Sequence, residues 1–151
     1  MRYACIVFAA LSTTSCAQDD AVWSGELPAP DRALFESAVY PILLRDCAFS
    51  ECHGAPQRFL QVFGPGRTRL PGHPADPDLV PREKEASYRR AAALLVAPHP
   101  GDLARAPLLT KPLEVSAGGA AHEGVDVFGR NLFQTTDDPR FQQLLAWALT
   151  Q

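Results

Sequence analysis

The chain has 151 residues and a formal net charge of -3 at pH 7, a length that favours one domain with a hydrophobic core. Its 14 Lys and Arg residues do not outnumber its 17 Asp and Glu residues and form no basic block. We therefore expect no nucleic-acid partner, because phosphate binding needs clustered positive charge. No stretch of sequence is long and apolar enough to predict a membrane-spanning helix.

Residues 1–16 have the pattern of a secretory signal peptide. Met1-Arg2 carries positive charge, Ala4 to Leu11 is apolar, and small residues follow up to Ala17. This order of charge, apolar run and small residues is typical of a segment that is removed after export. The pattern predicts an exported protein that is periplasmic or anchored at the outer membrane.

Two cleavage sites fit this signal peptide. Cys16 after small residues is similar to a bacterial lipobox, although Thr13 stands where Leu is usual. Lipidated Cys16 would then be the first mature residue, and its lipid would be the only contact with a membrane. Alternatively, Ser15-Cys16-Ala17 is a small-x-small site, and Gln18 begins the mature chain.

The next elements in the chain are a tether and a helix. Residues 17–30 are mostly polar and end in a proline-containing stretch, which predicts a tether before a domain over residues 31–151. A helix is expected to begin near Asp31, a good N-cap. Pro41 is expected to disturb this helix by forcing Tyr40 away from α geometry. Its predicted buried face consists of Phe35, Val39, Ile42 and Leu43.

Residues 54–81 are rich in Gly and Pro and show no hydrophobic periodicity. They predict a long ordered loop, which is unusual in a compact domain unless it covers something. A second helix is expected from about Arg82 to Val96, ended by the Pro-His-Pro-Gly stretch at 98–101. Its predicted apolar stripe consists of Tyr88, Ala91, Ala92 and Leu95.

The last part of the chain contains two further elements. Residues 108–113 predict a short helical or extended piece, followed by a loop of small residues. A final helix is expected after Asp137 or Asp138, with Pro139 in its first turn. Its predicted inward face consists of Phe141, Leu144, Leu145 and Ala148. No segment has a convincing strand period, so we predict a small, mainly α domain with long loops.

The strongest chemical signal is the segment Cys47-Ala-Phe-Ser-Glu-Cys52-His53-Gly54. A covalently attached c-type haem needs two thiols for its vinyl groups and an adjacent imidazole for its iron. The usual signature has two residues between the cysteines, and this segment has four. Cys52 and His53 keep the usual offset, so Ala48 to Glu51 would bulge outward. The pattern favours one covalent haem c with His53 as the proximal iron ligand.

Two other interpretations of the cysteines remain open. Cys5 leaves with the signal peptide and Cys16 is lipidated or removed, so Cys47 and Cys52 form an isolated pair in an oxidising compartment. They could form a disulfide, which would make the protein a haem-free exported lipoprotein acting as a binding or accessory module. Their spacing also lies within the range of zinc sites.

The sixth position of the haem iron would have to come from another histidine. Met1 is the only methionine and leaves with the signal peptide, which excludes a His/Met pair in the mature chain. His122 is the favoured distal ligand, because neighbouring Gly and Ala residues let the backbone approach a flat ligand closely. His73, His99 or an open position are the alternatives. The apolar residues after His122 that could wall a pocket are Val125, Val127 and Phe128.

Several motifs, taken together in chain order, resemble the planctomycete-type cytochrome c domains. They are Leu44-Arg45-Asp46-Cys47 through His53-Gly54, Leu108-Leu109-Thr110-Lys111-Pro112-Leu113, the loop 119–124 with His122, and a final helix ending in Leu145-Ala146-Trp147. The resemblance covers roughly residues 33–150. It implies a cytochrome c-like fold around one haem, with His53 proximal and His122 distal.

The same resemblance implies an exported electron carrier rather than a catalyst, with a separate redox protein as its partner. A haem propionate would then need a cation close by. The candidates are Lys111, Arg58, Arg67 and Arg69, each of which could instead be an exposed surface charge.

Overall fold

The computed structural model describes residues 27–97 and 101–151. The predicted signal peptide, the lipidation site at Cys16, most of the tether and His99 lie outside these residues. At the start of the described part, Pro30 is buried, and its carbonyl accepts a hydrogen bond from the Tyr88 hydroxyl at 2.7 Å. The end of the predicted tether is therefore packed against the folded domain.

The described residues are mainly helical, which confirms the predicted class. The helical elements are α1 (Arg32–Leu34), a π-helical turn (Phe35–Val39), α2 (Tyr40–Asp46), α3 (Leu79–Ala93), a 3-10 turn (Leu103–Arg105), α4 (Pro107–Thr110), a second 3-10 turn (Val115–Ala117) and α5 (Pro139–Ala148). Extended pairing in the described ranges is limited to one isolated parallel bridge between Leu113 and Phe133. None of the described helices is long and apolar enough to cross a membrane.

The first helical stretch begins where the sequence predicted. The Asp31 carboxylate accepts a hydrogen bond from the Leu34 amide at 2.5 Å, as an N-cap does. The prediction for Pro41 was wrong, because Tyr40 keeps α geometry with φ -58 and ψ -41. The wider π turn lies immediately before α2, so the missing proline N–H falls in the first turn of α2, where it is tolerated.

Helix α3 begins earlier and ends earlier than predicted, at Leu79 and Ala93. Pro81 lies in its first turn, a position that tolerates a missing N–H. Beyond the helix end, Leu95 is still buried as expected. The buried face of α3 also includes two polar residues that the apolar stripe did not predict, Glu83 and Ser87.

Helix α5 matches its prediction closely. The Asp138 carboxylate caps it by accepting a hydrogen bond from the Arg140 amide at 2.9 Å, and Pro139 occupies the first turn. Phe141, Leu144 and Ala148 are buried, whereas Leu145 is only half-buried. Trp147 is fully buried as well, and its indole N–H donates to the Asp31 carbonyl at 2.9 Å.

The hydrophobic core lies where the first and last helical stretches meet α3. The Phe35 ring centre is 5.3 Å from that of Tyr88 and 5.2 Å from that of Trp147, separations at which aromatic pairs attract each other. These contacts join the start of the domain to its last helix, so both pack into the same core.

The long loop after the cysteine segment is ordered and contributes to this core. Leu60, Val62 and Phe63 are buried. The Phe63 carbonyl accepts a hydrogen bond from the Tyr40 hydroxyl at 2.8 Å, and its amide donates to the Ser87 hydroxyl at 3.0 Å. The loop is therefore ordered, as predicted, and part of what it covers is the protein's own core.

Candidate functional site

The cysteine segment begins where α2 ends and folds back on itself. The Cys47 amide donates to the Leu43 carbonyl at 3.0 Å, and the Cys47 carbonyl accepts from the His53 amide at 3.0 Å. This closing hydrogen bond brings the histidine back next to the helix end. Within the turn Ala48 is buried, whereas the next three residues, Phe49, Ser50 and Glu51, are exposed. Most of the residues between the two cysteines are therefore exposed to solvent.

Gly54 allows this turn to close. A β-carbon at position 54 would lie 2.8 Å from the carbonyl oxygens of both Ala48 and Phe49. Such distances are shorter than real β-carbons show, so any other residue would force the backbone apart. The glycine that follows the Cys-His pair is therefore needed to hold the segment in this shape.

The two cysteines are free thiols in this structure, and both are partly buried. Cys47 packs against the hydrophobic core. Burial is the main cause that raises the pKa of the Cys47 thiol to about 12, and the charge of Asp46 adds to it. The folded, haem-free chain therefore keeps Cys47 protonated, a form in which a thiol is a poor nucleophile.

The imidazole of His53 is held by the loop that follows it. Its Nδ1 lies 3.0 Å from the Leu60 carbonyl oxygen, which can only accept, so Nδ1 carries the proton. Burial lowers the pKa of His53 against the opposing effect of the Leu60 carbonyl, and His122 and Arg58 nearby lower it further. His53 is therefore neutral near pH 7, which is the form that binds a metal.

The structure brings His122 to His53, although the two are far apart in the sequence. Their ring centres are 6.0 Å apart and their planes differ by 10°. The two rings are therefore a stacked pair. For comparison, two metal–nitrogen bonds of about 2.0 Å and two ring radii of roughly 1 Å add up to a similar separation of about 6 Å. Within the described part of the chain, no hydrogen bond reaches the Nε2 atom of either ring.

Three contacts hold the loop that carries His122. The Lys111 ammonium donates to the Ala121 carbonyl at 2.9 Å. An exposed ion pair joins Arg58 to Glu123 at 3.6 Å, and so links the two histidine segments. Gly124 packs against the ring of His122, since a β-carbon there would lie 2.8 Å from its Cε1 atom.

A residue that the sequence analysis missed completes this arrangement. His122 Nδ1 lies 3.3 Å from the side-chain oxygen of Asn131, which is 8% exposed. Asparagine in a polar loop gives no sequence signal for such a role. Only the fold reveals it, because the return of the chain towards the bridge at Phe133 places Asn131 beside the histidine loop.

The other candidate residues lie elsewhere or are engaged with the protein. His73 is exposed, and its Nδ1 accepts a hydrogen bond from the Ala75 amide at 3.1 Å. Arg67 donates to the Leu44 carbonyl at 2.9 Å, and Arg69 pairs with buried Glu83 at 2.7 Å. Lys111 and Arg58 are the predicted cations whose contacts lie at the histidine loops.

The expected wall of apolar side chains is present on these loops but faces solvent. Val127 is 94% exposed and Phe128 77% exposed, and Val125 is exposed too. On the other loop, Phe59 is 69% exposed, next to the Leu60 carbonyl that binds His53. Both histidine loops therefore carry large apolar side chains in solvent.

No cluster of three or more His, Cys, Asp or Glu side chains suited to an ion occurs within residues 27–97 and 101–151. A haem needs only two axial side chains, because its ring supplies the other nitrogens. The donor set of two thiols on one turn and two nearly parallel imidazoles is therefore compatible with a covalent haem c.

Comparison of the chain with protein-family models, with curated proteins and with solved structures finds no match. The resemblance to planctomycete-type cytochrome c domains thus stays a prediction from the motifs.

Proposed function

We propose that this protein is an exported electron carrier with one covalent haem c. Cys47 and Cys52 would hold the macrocycle, and His53 and His122 would hold the iron from opposite sides. The observation that carries this proposal is the pair of parallel imidazoles with ring centres 6.0 Å apart. When bound, the haem would supply one-electron exchange at its iron.

The surroundings of the two histidines support the same function. His53 is neutral and its Nδ1–H is fixed by a backbone carbonyl, as is usual for metal-binding histidines. The exposed Phe59, Val127 and Phe128 provide apolar surface that a macrocycle would cover. Two protein ligands would leave no open iron position, which favours an electron carrier over a catalyst. Two imidazole ligands would also give a lower reduction potential than a His/Met pair.

The localisation and partner belong to the same proposal. Export through the signal peptide pattern of residues 1–16 would put the protein in the periplasm or, if Cys16 is lipidated, at the outer membrane. A one-electron carrier there needs a separate redox protein to exchange electrons with.

Expression with the native signal in a host that matures c-type cytochromes tests the proposal. We expect an intact mass increased by one haem, a pyridine haemochrome spectrum of haem c and a low-spin visible spectrum. His122→Ala should convert the spectrum to high-spin, whereas the matched His73→Ala should leave it low-spin, because His73 lies in an exposed loop. An unmodified mass with oxidised Cys47 and Cys52 would instead establish the haem-free disulfide module.

A further inference from the structure

The side chain of Asn131 is fixed by the backbone around it. Its Nδ2 donates to the carbonyls of Lys111 at 2.8 Å and Leu113 at 3.0 Å. Its Oδ1 accepts from the Leu132 amide at 2.9 Å. A flipped amide would place its N–H₂ against that amide donor and its oxygen against two carbonyls. The orientation of the Asn131 side chain is therefore determined.

This orientation fixes the tautomer of His122. Asn131 Oδ1 can only accept, so the hydrogen bond at 3.3 Å requires a proton on His122 Nδ1. With the Nδ1 proton held by Asn131, Nε2 is the nitrogen that is left for a metal. His53 has the same tautomer, because its Nδ1 faces the Leu60 carbonyl. The two rings thus present equivalent nitrogens.

The plane of the His122 ring is restricted from two sides. Asn131 holds one ring edge, and Gly124 packs within contact of Cε1. The interplanar angle with His53 is 10°. Rotation about the bond to the imidazole would break the Asn131 hydrogen bond or drive the ring against Gly124.

We propose that Asn131 is a positioning residue, which sets both the tautomer and the plane of His122 so that the iron is held between parallel imidazoles. This inference rests on the proposed haem function. Its chemical consequence is twofold. Parallel ring planes would direct both imidazole π systems at the same iron d orbital, and the bound haem would then give a rhombic low-spin signal. An acceptor on Nδ1–H makes the imidazole a stronger donor and stabilises ferric iron.

The experiment uses the matured, haem-loaded protein, its Asn131→Ala and Asn131→Asp variants, and Gln134→Ala as a control. Gln134 donates to the Asn131 backbone carbonyl at 2.7 Å and so touches the same segment without touching His122. Asn131→Asp keeps an oxygen acceptor for His122 but loses the two N–H donors to the Lys111 and Leu113 carbonyls, so its stability is measured alongside. Low-temperature electron paramagnetic resonance, redox titration and competition by added imidazole are measured for each.

We expect a rhombic low-spin signal from the wild-type protein and from Gln134→Ala. Asn131→Ala should lose this rhombic signal, raise the midpoint potential and bind added imidazole about 10- to 100-fold more tightly, because His122 is less firmly held. Asn131→Asp should keep its potential at or below the wild-type value. A role in stability alone would move the two Asn131 variants in the same direction.

Two kinds of result overturn the inference and can be told apart. If no covalent low-spin haem forms in the wild-type protein, the proposed function fails, and the inference falls with it. If the haem is low-spin but its signal is that of perpendicular imidazoles, or if Asn131→Ala matches Gln134→Ala in all three measurements, only the role of Asn131 is refuted.

Discussion

Cys47 and Cys52 differ in environment although they lie in one turn. Cys47 packs against the core, and burial raises the pKa of its thiol to about 12. Near pH 8 the Cys47 thiol therefore stays protonated. In the haem-free chain, thioether formation at Cys47 would therefore be slow once folding is complete.

A thiol-labelling experiment on the haem-free chain tests this difference. Brief alkylation with iodoacetamide at pH 8, followed by peptide mass spectrometry, should modify Cys52 more than about tenfold faster than Cys47, because Cys47 packs against the core and its thiol stays protonated. Denaturant should equalise the two rates, and single Cys→Ser variants serve as controls. Equal labelling of the folded chain would show that Cys47 is accessible.

At the scale of elements, the start of α5 is tied to the end of α2. The Arg140 guanidinium pairs with Asp138 at 2.6 Å and with Asp46 at 3.3 Å. Asp46 is the last residue of α2 and directly precedes Cys47. The Asp138 carboxylate also caps α5. The ion pairs of Arg140 with Asp138 and Asp46 therefore position both the last helix and the turn that begins at Cys47.

The pH dependence of stability should report on this network. The hydrogen bond from Arg140 is the main cause that lowers the pKa of Asp138. A carboxyl whose pKa is lower in the folded state stabilises the protein fully above its ordinary pKa of about 3.9 and loses this effect as the pH falls through the folded value. Urea unfolding should therefore show a decline in stability below about pH 4.

Variants separate the two functions of this carboxylate. Asp138→Ala should lower the free energy of unfolding at pH 7 by about 1 kcal/mol, because the cap is lost. Asp138→Asn should retain most of the cap but weaken the decline below pH 4. Asp137→Ala is the matched control, since Asp137 is exposed. An equal loss in Asp137→Ala would contradict the assignment of the cap.

At the scale of the whole molecule, the core and the histidine loops differ in how they are held. In the core, Phe35 from the start of the domain and Trp147 from its last helix both pack near Tyr88 of α3. The loop with His122 is linked to the loop with His53 by the exposed Arg58–Glu123 pair, and exposed ion pairs contribute little. The loops also keep large apolar side chains in solvent.

Haem attachment should therefore stabilise the loops more than the core. Limited proteolysis of the haem-loaded protein should cut within residues 120–130 at least about tenfold more slowly than in a haem-free Cys47→Ser/Cys52→Ser variant, because local opening would expose buried apolar surface. Cleavage in α5 serves as the internal control and should change less. Equal rates within residues 120–130 would show that haem does not contact this loop.

Much of the fold could be predicted because its signals are local. Asp31 and Asp138 cap the helices they precede, and Pro139 lies in the first turn, as their residue types indicate. Tyr40 was predicted wrongly because a π turn shifts the hydrogen bonding before Pro41. Residue-by-residue preferences do not contain such an adjustment.

The residue types of the candidate site could be read from the sequence, and their geometry could not. The two thiols and the adjacent His53 were visible as residue types whose chemistry suits a haem, whereas His122 was one of three histidines that could have been the second ligand. That the two rings lie parallel, with ring centres 6.0 Å apart, is decided by tertiary structure. The hydrogen bond by which Asn131 orients His122 is also decided by tertiary structure. Both depend on contacts between segments distant along the chain, because a hydrogen bond or a ring pair is set by position in space and not by neighbours in sequence.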